Sequence, residues 1–370
     1  MRILVVTPWF PTADSPVSGV FVRREVEALA DAHDVTVVHL DWQQGRPLDG
    51  PPQAGYSYRH LSLKRSDPRA YLRARRFVSA AAHDHDLVHT HALTGLLPWA
   101  IGRPGGGTPW VHSEHWSGIS APETLGIGER AALSLLGPRL RSADAVIAES
   151  TRLSRALRRF RKSPIDLVPC VVDEPAAIRS RAAEDIRLVA VGGLIPRKGP
   201  LLAVAATASL IDRGIDASLT WVGDGPLREE VVARAAEAGI SDRVRLPGRL
   251  DDSGVSRELN AATMFLLPTQ GDNFCVVAAE ALMHGRPIVS GAATGAVDYA
   301  DPAVSRFVTD QRAEAYADAI RSLTDSTRSL SAEDVAATVR GRFSPATIAA
   351  SLTDIYGRVV HDRAETRPRA

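Results

Sequence analysis

The chain has 370 residues, 45% hydrophobic and 24% charged, and at roughly 100–200 residues per domain this length predicts two domains. With 44 basic and 43 acidic side chains and a formal net charge of +1, it reads neither as a strongly basic nucleic-acid binder nor as an acidic solvating tail. The two cysteines, Cys170 and Cys275, cannot build a disulfide framework and point to a reducing compartment; no run reaches the ~18 consecutive apolar residues of a membrane span.

The opening residues Ile3–Val6 are apolar and run into Pro8, which predicts a buried strand rather than the apolar core of a signal peptide. A loop through Ser15-Pro16-Val17-Ser18-Gly19 then leads to a helical pattern over Phe21–Ala30. Gly19 lets backbone amides at that helix start approach an anion, although the dinucleotide pattern G-x-G-x-x-G is absent. Short apolar runs at Val35–Leu40, Leu87–Thr90, Trp110–His112 and Ala145–Ala148 follow. A polar, Ala-rich stretch from Asp173 to Glu184-Asp185 reads as a linker. Further runs come at Leu188–Val191, Leu219–Val222, Val244–Leu246, Met264–Leu267 and Ile288–Val289. Such runs, separated by helical stretches, predict parallel sheets in two α/β domains, with ligands bound at the carboxyl ends of the strands. The charge divides accordingly: residues 1–170 hold 21 basic and 16 acidic side chains, and residues 171–370 hold 23 and 27. Ser344-Pro345 opens a last helix whose apolar stripe is Ile348, Leu352, Ile355 and Val359. With no strand after it, that helix must dock on something already built, and Ala364–Ala370 reads as a disordered tail.

Three loops of the second half carry the chemistry. Gly192-Gly193-Leu194-Ile195-Pro196-Arg197-Lys198-Gly199 places two adjacent cations in a strand–helix loop, suited to a diphosphate. Lys198 is one of only three lysines, with Lys64 and Lys162, against 41 arginines. Gly223-Asp224-Gly225-Pro226 is a turn that needs no ligand. Asp272-Asn273-Phe274-Cys275-Val276-Val277 leads a helix in which Glu280 sits among Ala279, Ala281 and Leu282. Asp272 or Asn273 can cap this helix, and Glu280 either faces solvent or meets a ligand, since an unpaired carboxylate among apolar neighbours is costly.

Taken in order, Gly19, Gly192-Gly193-Leu194 with Arg197-Lys198-Gly199, Val222-Gly223-Asp224-Gly225-Pro226, and Asp272–Glu280 running on to Val289 resemble the family-4 retaining glycosyltransferases of the GT-B fold. Val168-Pro169 through Asp173 resembles the family's segment before the linker, so the resemblance spans nearly the whole chain. It implies two Rossmann-like doubly wound domains facing across a cleft. Residues 1–173 would bind the acceptor, residues 185–342 the nucleotide sugar, and a helix over 343–362 would cross back to the N-terminal domain. It implies transfer of a hexose-type sugar from a nucleotide-diphosphate donor, a UDP- or GDP-sugar, to an acceptor hydroxyl with retention of configuration. The acceptor would be a polysaccharide or glycolipid precursor or a secondary metabolite, with no metal and no cofactor beyond the donor; the Ala/Arg-rich composition points to a high-GC bacterium and the cysteine usage to its cytoplasm. Residue by residue, Lys198 matches the diphosphate-binding lysine and Glu280 the glutamate on the ribose hydroxyls. Asp272 matches the first carboxylate of the E-x(7)-E pattern, on the donor sugar, and His115 a histidine beside the transferred sugar. Arg197, the Gly19 loop and the amides near Val276 and Val277 would share the diphosphate charge. The chain departs from the family at Gly193, usually arginine; at Asp272, usually glutamate; and at Cys275, usually glycine.

Other readings are carried by other residues. Six of the eleven histidines, His83, His85, His89, His91, His112 and His115, lie within 83–115 with Asp84 and Asp86 interleaved, which admits a metallohydrolase. The lost arginine admits a nucleotide-sugar binder without transfer activity. Arg152, Arg155, Arg159 and Lys162 fall on one face if a helix runs through them, and that face, with Arg69, Arg73, Arg75 and Arg76, admits peripheral contact with anionic membrane.

Overall fold

The computed structural model describes residues 1–47, 55–181 and 185–366. The chain divides into two compact units, Met1–Val171 with Phe343–Ala370, and Val172–Arg342. The division falls just ahead of the expected linker, whose Glu184 lies outside the described residues.

The first unit holds a seven-stranded sheet of β1 (Arg2–Thr7), β2 (Asp34–Asp41), β3 (Ser57–Ser62), β4 (Leu87–His91), β5 (Trp110–Glu114), β6 (Ala145–Ala148) and β7 (Asp166–Leu167), in the order β3-β2-β1-β4-β5-β6-β7. Every pairing is parallel. Val, Ile and Leu fill both faces of the inner strands because helices cover both sides. One face is covered by the helix Val20–Ala30 and by the C-terminal helix, whose Ile348, Leu352, Ile355 and Val359 are all buried with Val22, Val26 and Leu29. The C-terminal helix runs Pro345–Thr366, so Ala364 and Glu365 are helical rather than tail; residues 367–370 lie outside the described residues.

The second unit holds β8 (Ile186–Val191), β9 (Ala217–Val222), β10 (Val244–Gly248), β11 (Met264–Leu267), β12 (Ile288–Gly291) and β13 (Ser305–Val308), in the order β10-β9-β8-β11-β12-β13, again all parallel. In each sheet the strand order reverses once, between β1 and β4 and between β8 and β11. At such a reversal the loops leave neighbouring strands in opposite directions and open a crevice at the carboxyl ends.

One expected element is corrected. The helix through Arg152 ends at Leu157, so Arg159 and Lys162 do not continue its face. Arg152 and Arg159 instead donate to the carbonyls of Ser120 (3.4 Å) and Ile119 (2.8 Å), and the basic stripe read from the sequence does not form. Among the described residues, no helix is long and apolar enough to cross a membrane.

Candidate active site

In the second unit the residues singled out by the sequence meet at the β8/β11 reversal. The loop after β8 passes through Gly192 and Gly193 to a short turn, Pro196–Lys198, and then to the helix Pro200–Asp212. The turn after β9 supports it from below. A side chain at Gly223 would lie 2.0 Å from the Gly192 carbonyl oxygen, and φ there is +136°, so glycine is required. The Gly223–Pro226 turn therefore serves to build the Gly192–Lys198 loop. The loop after β11 is tied to the same segment, since Gln270 N–H donates to the Arg197 carbonyl at 2.8 Å.

Lys198 and Asp272 form an ion pair there, with side chains only 14% and 19% exposed. The other Asp272 oxygen accepts the Cys275 N–H at 3.0 Å. Asp272 thus anchors the turn before the helix Val276–Met283 rather than capping its first turn in the usual position. Arg197 lies beside them, its guanidinium donating to the Gly271 carbonyl. Val276, Val277 and Glu280 are half-buried and share one helix face, because positions i, i+3 and i+4 align, whereas Ala278, Ala279, Ala281 and Leu282 are buried. Cys275 takes φ +65°, a conformation that favours glycine, and its side chain is buried; burial, reinforced by the Asp272 charge, pushes its thiol up to about 12. A cavity of about 820 Å³ lies elsewhere in this unit, against Ile186 and Met264 at the opposite, amino ends of β8 and β11. It touches none of these residues.

In the first unit the loop after β1 reaches Gly19 at the start of the helix Val20–Ala30. Gly19 has φ +67°, and a Cβ there would sit 2.4 Å from the Trp9 carbonyl, so no other residue fits without moving the loop. Nearby, on β4 and on and just after β5, the histidines separate by strand alternation. His89, His91 and His115 share one face, while His112 lies on the other, bonded to Thr90 Oγ1 (2.8 Å) and Glu114 Oε2 (3.2 Å). His83 and His85 sit at the turn after the helix Pro68–Ala82. The six histidines therefore do not converge. Glu25, His89 and His91, and separately His115, Glu149 and Cys170, do bring ligand-type atoms within 4.8 Å of one another. Yet His89 has both ring nitrogens engaged, with Ser113 Oγ (2.8 Å) and Tyr356 Oη (2.7 Å), and Glu149 accepts from Cys170 Sγ at 3.0 Å.

His115 is the best-held side chain of this face. Its Nδ1 lies 3.0 Å from Glu149 Oε2, its Nε2 lies 3.1 Å from His91 Nδ1, and Phe21 packs against the ring at 4.7 Å. Both ring nitrogens are thus engaged within the unit. Its backbone N–H and that of Trp116 donate to Glu114 Oε1 at 2.8 and 2.7 Å. Burial disfavours the imidazolium, but the hydrogen bond and charge of Glu149, with the charges of Glu25 and Glu114, outweigh it and raise His115 above the ordinary histidine value. Burial first, and neighbouring histidines second, hold His89 and His91 well below it. Glu25, Glu149 and Tyr356 were not singled out by the sequence reading. Glu25 had a legible signal: it falls in the stripe Val22, Glu25, Val26, Leu29, a carboxylate on the buried face of an amphipathic helix.

Two family models cover the chain in succession: Glycosyltransferase Family 4 over residues 18–174 and Glycosyl transferases group 1 over residues 173–337. A D-inositol 3-phosphate glycosyltransferase of Mycobacteroides abscessus is 30% identical over 77% of this chain and 68% of its own length. A 2-deoxystreptamine glucosyltransferase of Streptomyces kanamyceticus is 27% identical over 58% of this chain, and the match spans only 61% of that relative. Among solved structures, sucrose-phosphate synthase of Thermosynechococcus elongatus superposes with a TM-score of 0.77 at 22% identity, covering 98% of this chain and 99% of that one. HepE of Anabaena in complex with UDP-glucose superposes with a TM-score of 0.73 at 18% identity, over 96% and 99%. The order of the motifs, the two doubly wound units and these matches together place the chain in the family-4 glycosyltransferases of the GT-B fold.

Proposed function

We propose that this protein is a retaining glycosyltransferase that moves a hexose-type sugar from a nucleotide-diphosphate donor to an acceptor hydroxyl. The observation that carries the reading is the joining of Lys198 and Asp272, 74 residues apart in the chain, at the β8/β11 reversal. In the proposed complex the Lys198 ammonium turns from Asp272 to the donor diphosphate. Asp272 keeps its Cys275 N–H bond and offers its freed oxygen to a sugar hydroxyl. Glu280, on the same helix face as Val276 and Val277, accepts from the ribose hydroxyls, and the amides at that helix start face the diphosphate. Arg197 adds a further donor. A retaining transfer on one sugar face asks the protein mainly to position the partners and stabilise the leaving diphosphate. These donors can supply that stabilisation without a divalent ion. The acceptor we favour is a polyhydroxylated ring, because the 2-deoxystreptamine glucosyltransferase and the D-inositol 3-phosphate glycosyltransferase are both named for a cyclitol.

The test is calorimetric titration with UDP, GDP, TDP and ADP and their sugars, with and without Mg²⁺, followed by transfer to inositol phosphates and aminocyclitols. One nucleotide should bind without metal, and NMR of the product should show the donor's anomeric configuration retained. Binding without hydrolysis or transfer to any acceptor would favour the sugar-nucleotide binder instead. No nucleotide binding would reject both readings.

The missing arginine supplies a sharper expectation. At Gly193 an added Cβ meets nothing closer than the Asp224 carbonyl at 3.7 Å, and φ there lies outside the left-handed region. Gly193→Arg is therefore expected to fold normally and to bind the preferred nucleotide roughly tenfold more tightly, the ~1.5 kcal/mol at the low end for a charge-assisted hydrogen bond. Unchanged affinity in a folded variant would mean that the diphosphate does not lie over this loop.

A further inference from the structure

We propose that His91 relays a proton between Glu25 and His115, so that one buried proton sits either on the Glu25 carboxyl or on the His115 ring. The inference rests on the reading above for what it does to the donor, but its geometry belongs to the first unit alone. His91 is fully buried, and its Nδ1 lies 3.1 Å from His115 Nε2 with the rings nearly parallel, 6° apart. Its other nitrogen, Nε2, lies 3.5 Å from Glu25 Oε1. Those last two atoms are buried and have no hydrogen-bond partner. Two buried polar atoms facing each other call for a shared proton.

Donor accounting leaves two arrangements. Glu149 accepts from His115 Nδ1–H in both. In the first, the protonated Glu25 donates to His91 Nε2, and His91 Nδ1–H donates to His115 Nε2. In the second, His115 Nε2–H donates to His91 Nδ1, and His91 Nε2–H donates to the Glu25 carboxylate. Conversion breaks the Glu25 O–H bond and forms N–H at His91 Nε2, and breaks N–H at His91 Nδ1 and forms N–H at His115 Nε2. No proton enters or leaves. Only the second arrangement makes His115 an imidazolium.

The groups around the pair bias the resting state. Glu25 faces His89 and His91 on β4, Tyr356 on the C-terminal helix, and His115 with Glu149 beyond it; Cys170 donates to Glu149. Burial, the largest influence, pushes Glu25 up to about 7, with the His115 charge opposing and the Glu149 charge adding to the rise. Burial thus biases the proton toward Glu25, while the hydrogen bond and charge of Glu149 bias it toward His115. An anion placed near His115 draws the proton across, so the site gains a positive charge without taking a proton from water. Glu25 and His91 are in this sense positioning residues, acting through His115.

Two measurements test this. First, ¹⁵N NMR of histidine-labelled, unliganded protein: acid titration of His115 should convert His91 from its Nδ1–H to its Nε2–H tautomer in the same step. Titration of His115 with His91 unchanged overturns the relay, whether or not any nucleotide binds. Second, calorimetry with UDP or GDP, whichever binds, at neutral pH in buffers of different ionisation enthalpy. Wild type should bind with no net proton uptake, whereas Glu25→Gln and His91→Phe should take up close to one proton. Equal uptake in all three overturns the relay. Failure of any nucleotide to bind rejects the functional reading and leaves the first measurement to decide this one. Native far-ultraviolet dichroism and melting of the variants separate relay loss from unfolding.

Discussion

Lys198→Ala is expected to lower sugar transfer at least 100-fold. Removing one preorganised donor from a developing oxyanion costs about 3 kcal/mol, and an ammonium facing a diphosphate is a stronger donor than most. The loss should fall on kcat as well as on nucleotide affinity, because charge on the leaving diphosphate grows toward the transition state. The ion pair in the structure sharpens the expectation. Without Lys198, one Asp272 oxygen loses its cation in a pocket where the side chain is 19% exposed, so the loop after β11 should loosen too. Asp272→Asn separates the two effects: it keeps an oxygen for the Cys275 N–H, removes the charge, and leaves Lys198 free for the donor. It should retain nucleotide binding while changing which sugar is preferred. A Lys198→Ala rate near wild type would remove the diphosphate assignment and with it the proposed reaction.

How much of this was legible beforehand differs by element. The inner strands were readable because burial on both faces leaves unbroken Val, Ile and Leu runs, as in Ile3–Val6 and Met264–Leu267. Of the four edge strands, Val244–Gly248 was read and the other three were not. Ser57–Ser62 alternates exposed and half-buried residues, Asp166–Leu167 is two residues long, and Ser305–Val308 begins with Ser-Arg, so none gives an apolar run. The Lys198 and Asp272 loops were found by motif, but their pairing was not, since it depends on which strands are neighbours. Cys275 shows the limit of a residue-type argument: a buried cysteine, not a glycine, adopts the left-handed backbone here. The histidines were visible as a cluster, yet sequence could not sort them by strand face. That sorting, His112 to one side and His89, His91 and His115 to the other, is what distinguishes a hydrogen-bonded network from a convergent set of ligands. The basic stretch failed for a local reason, because its helix stops at Leu157 and two of its arginines are taken by the carbonyls of Ile119 and Ser120.

Leu352→Ala should destabilise the first unit by about 2–5 kcal/mol, the range for a leucine truncated in a core that cannot collapse around the space. Leu352 is wholly buried against the same cluster as Val22, Val26 and Leu29, and that cluster also holds Ile3, Val5, Val35 and Leu87 of the sheet. The C-terminal helix is thus a layer of this unit's core, although residues 168–344 of the chain separate it from β7. Its start is fixed locally, with Ser344 Oγ accepting the Thr347 N–H at 3.2 Å, so a lost core contact cannot be recovered by sliding the helix. Tyr356→Phe offers the comparison. It removes no core volume and leaves His89 Nδ1 without its 2.7 Å partner in a fully buried site, a cost of about 1–3 kcal/mol. Denaturant unfolding followed by a probe in each unit reads both, since a two-unit chain need not unfold in one step. The transition of the unit containing β1–β7 should move, further for Leu352→Ala than for Tyr356→Phe, with its slope unchanged. A shift below about 1 kcal/mol for Leu352→Ala would mean that the helix is not part of that core in solution, and the sheet face it covers would then be open.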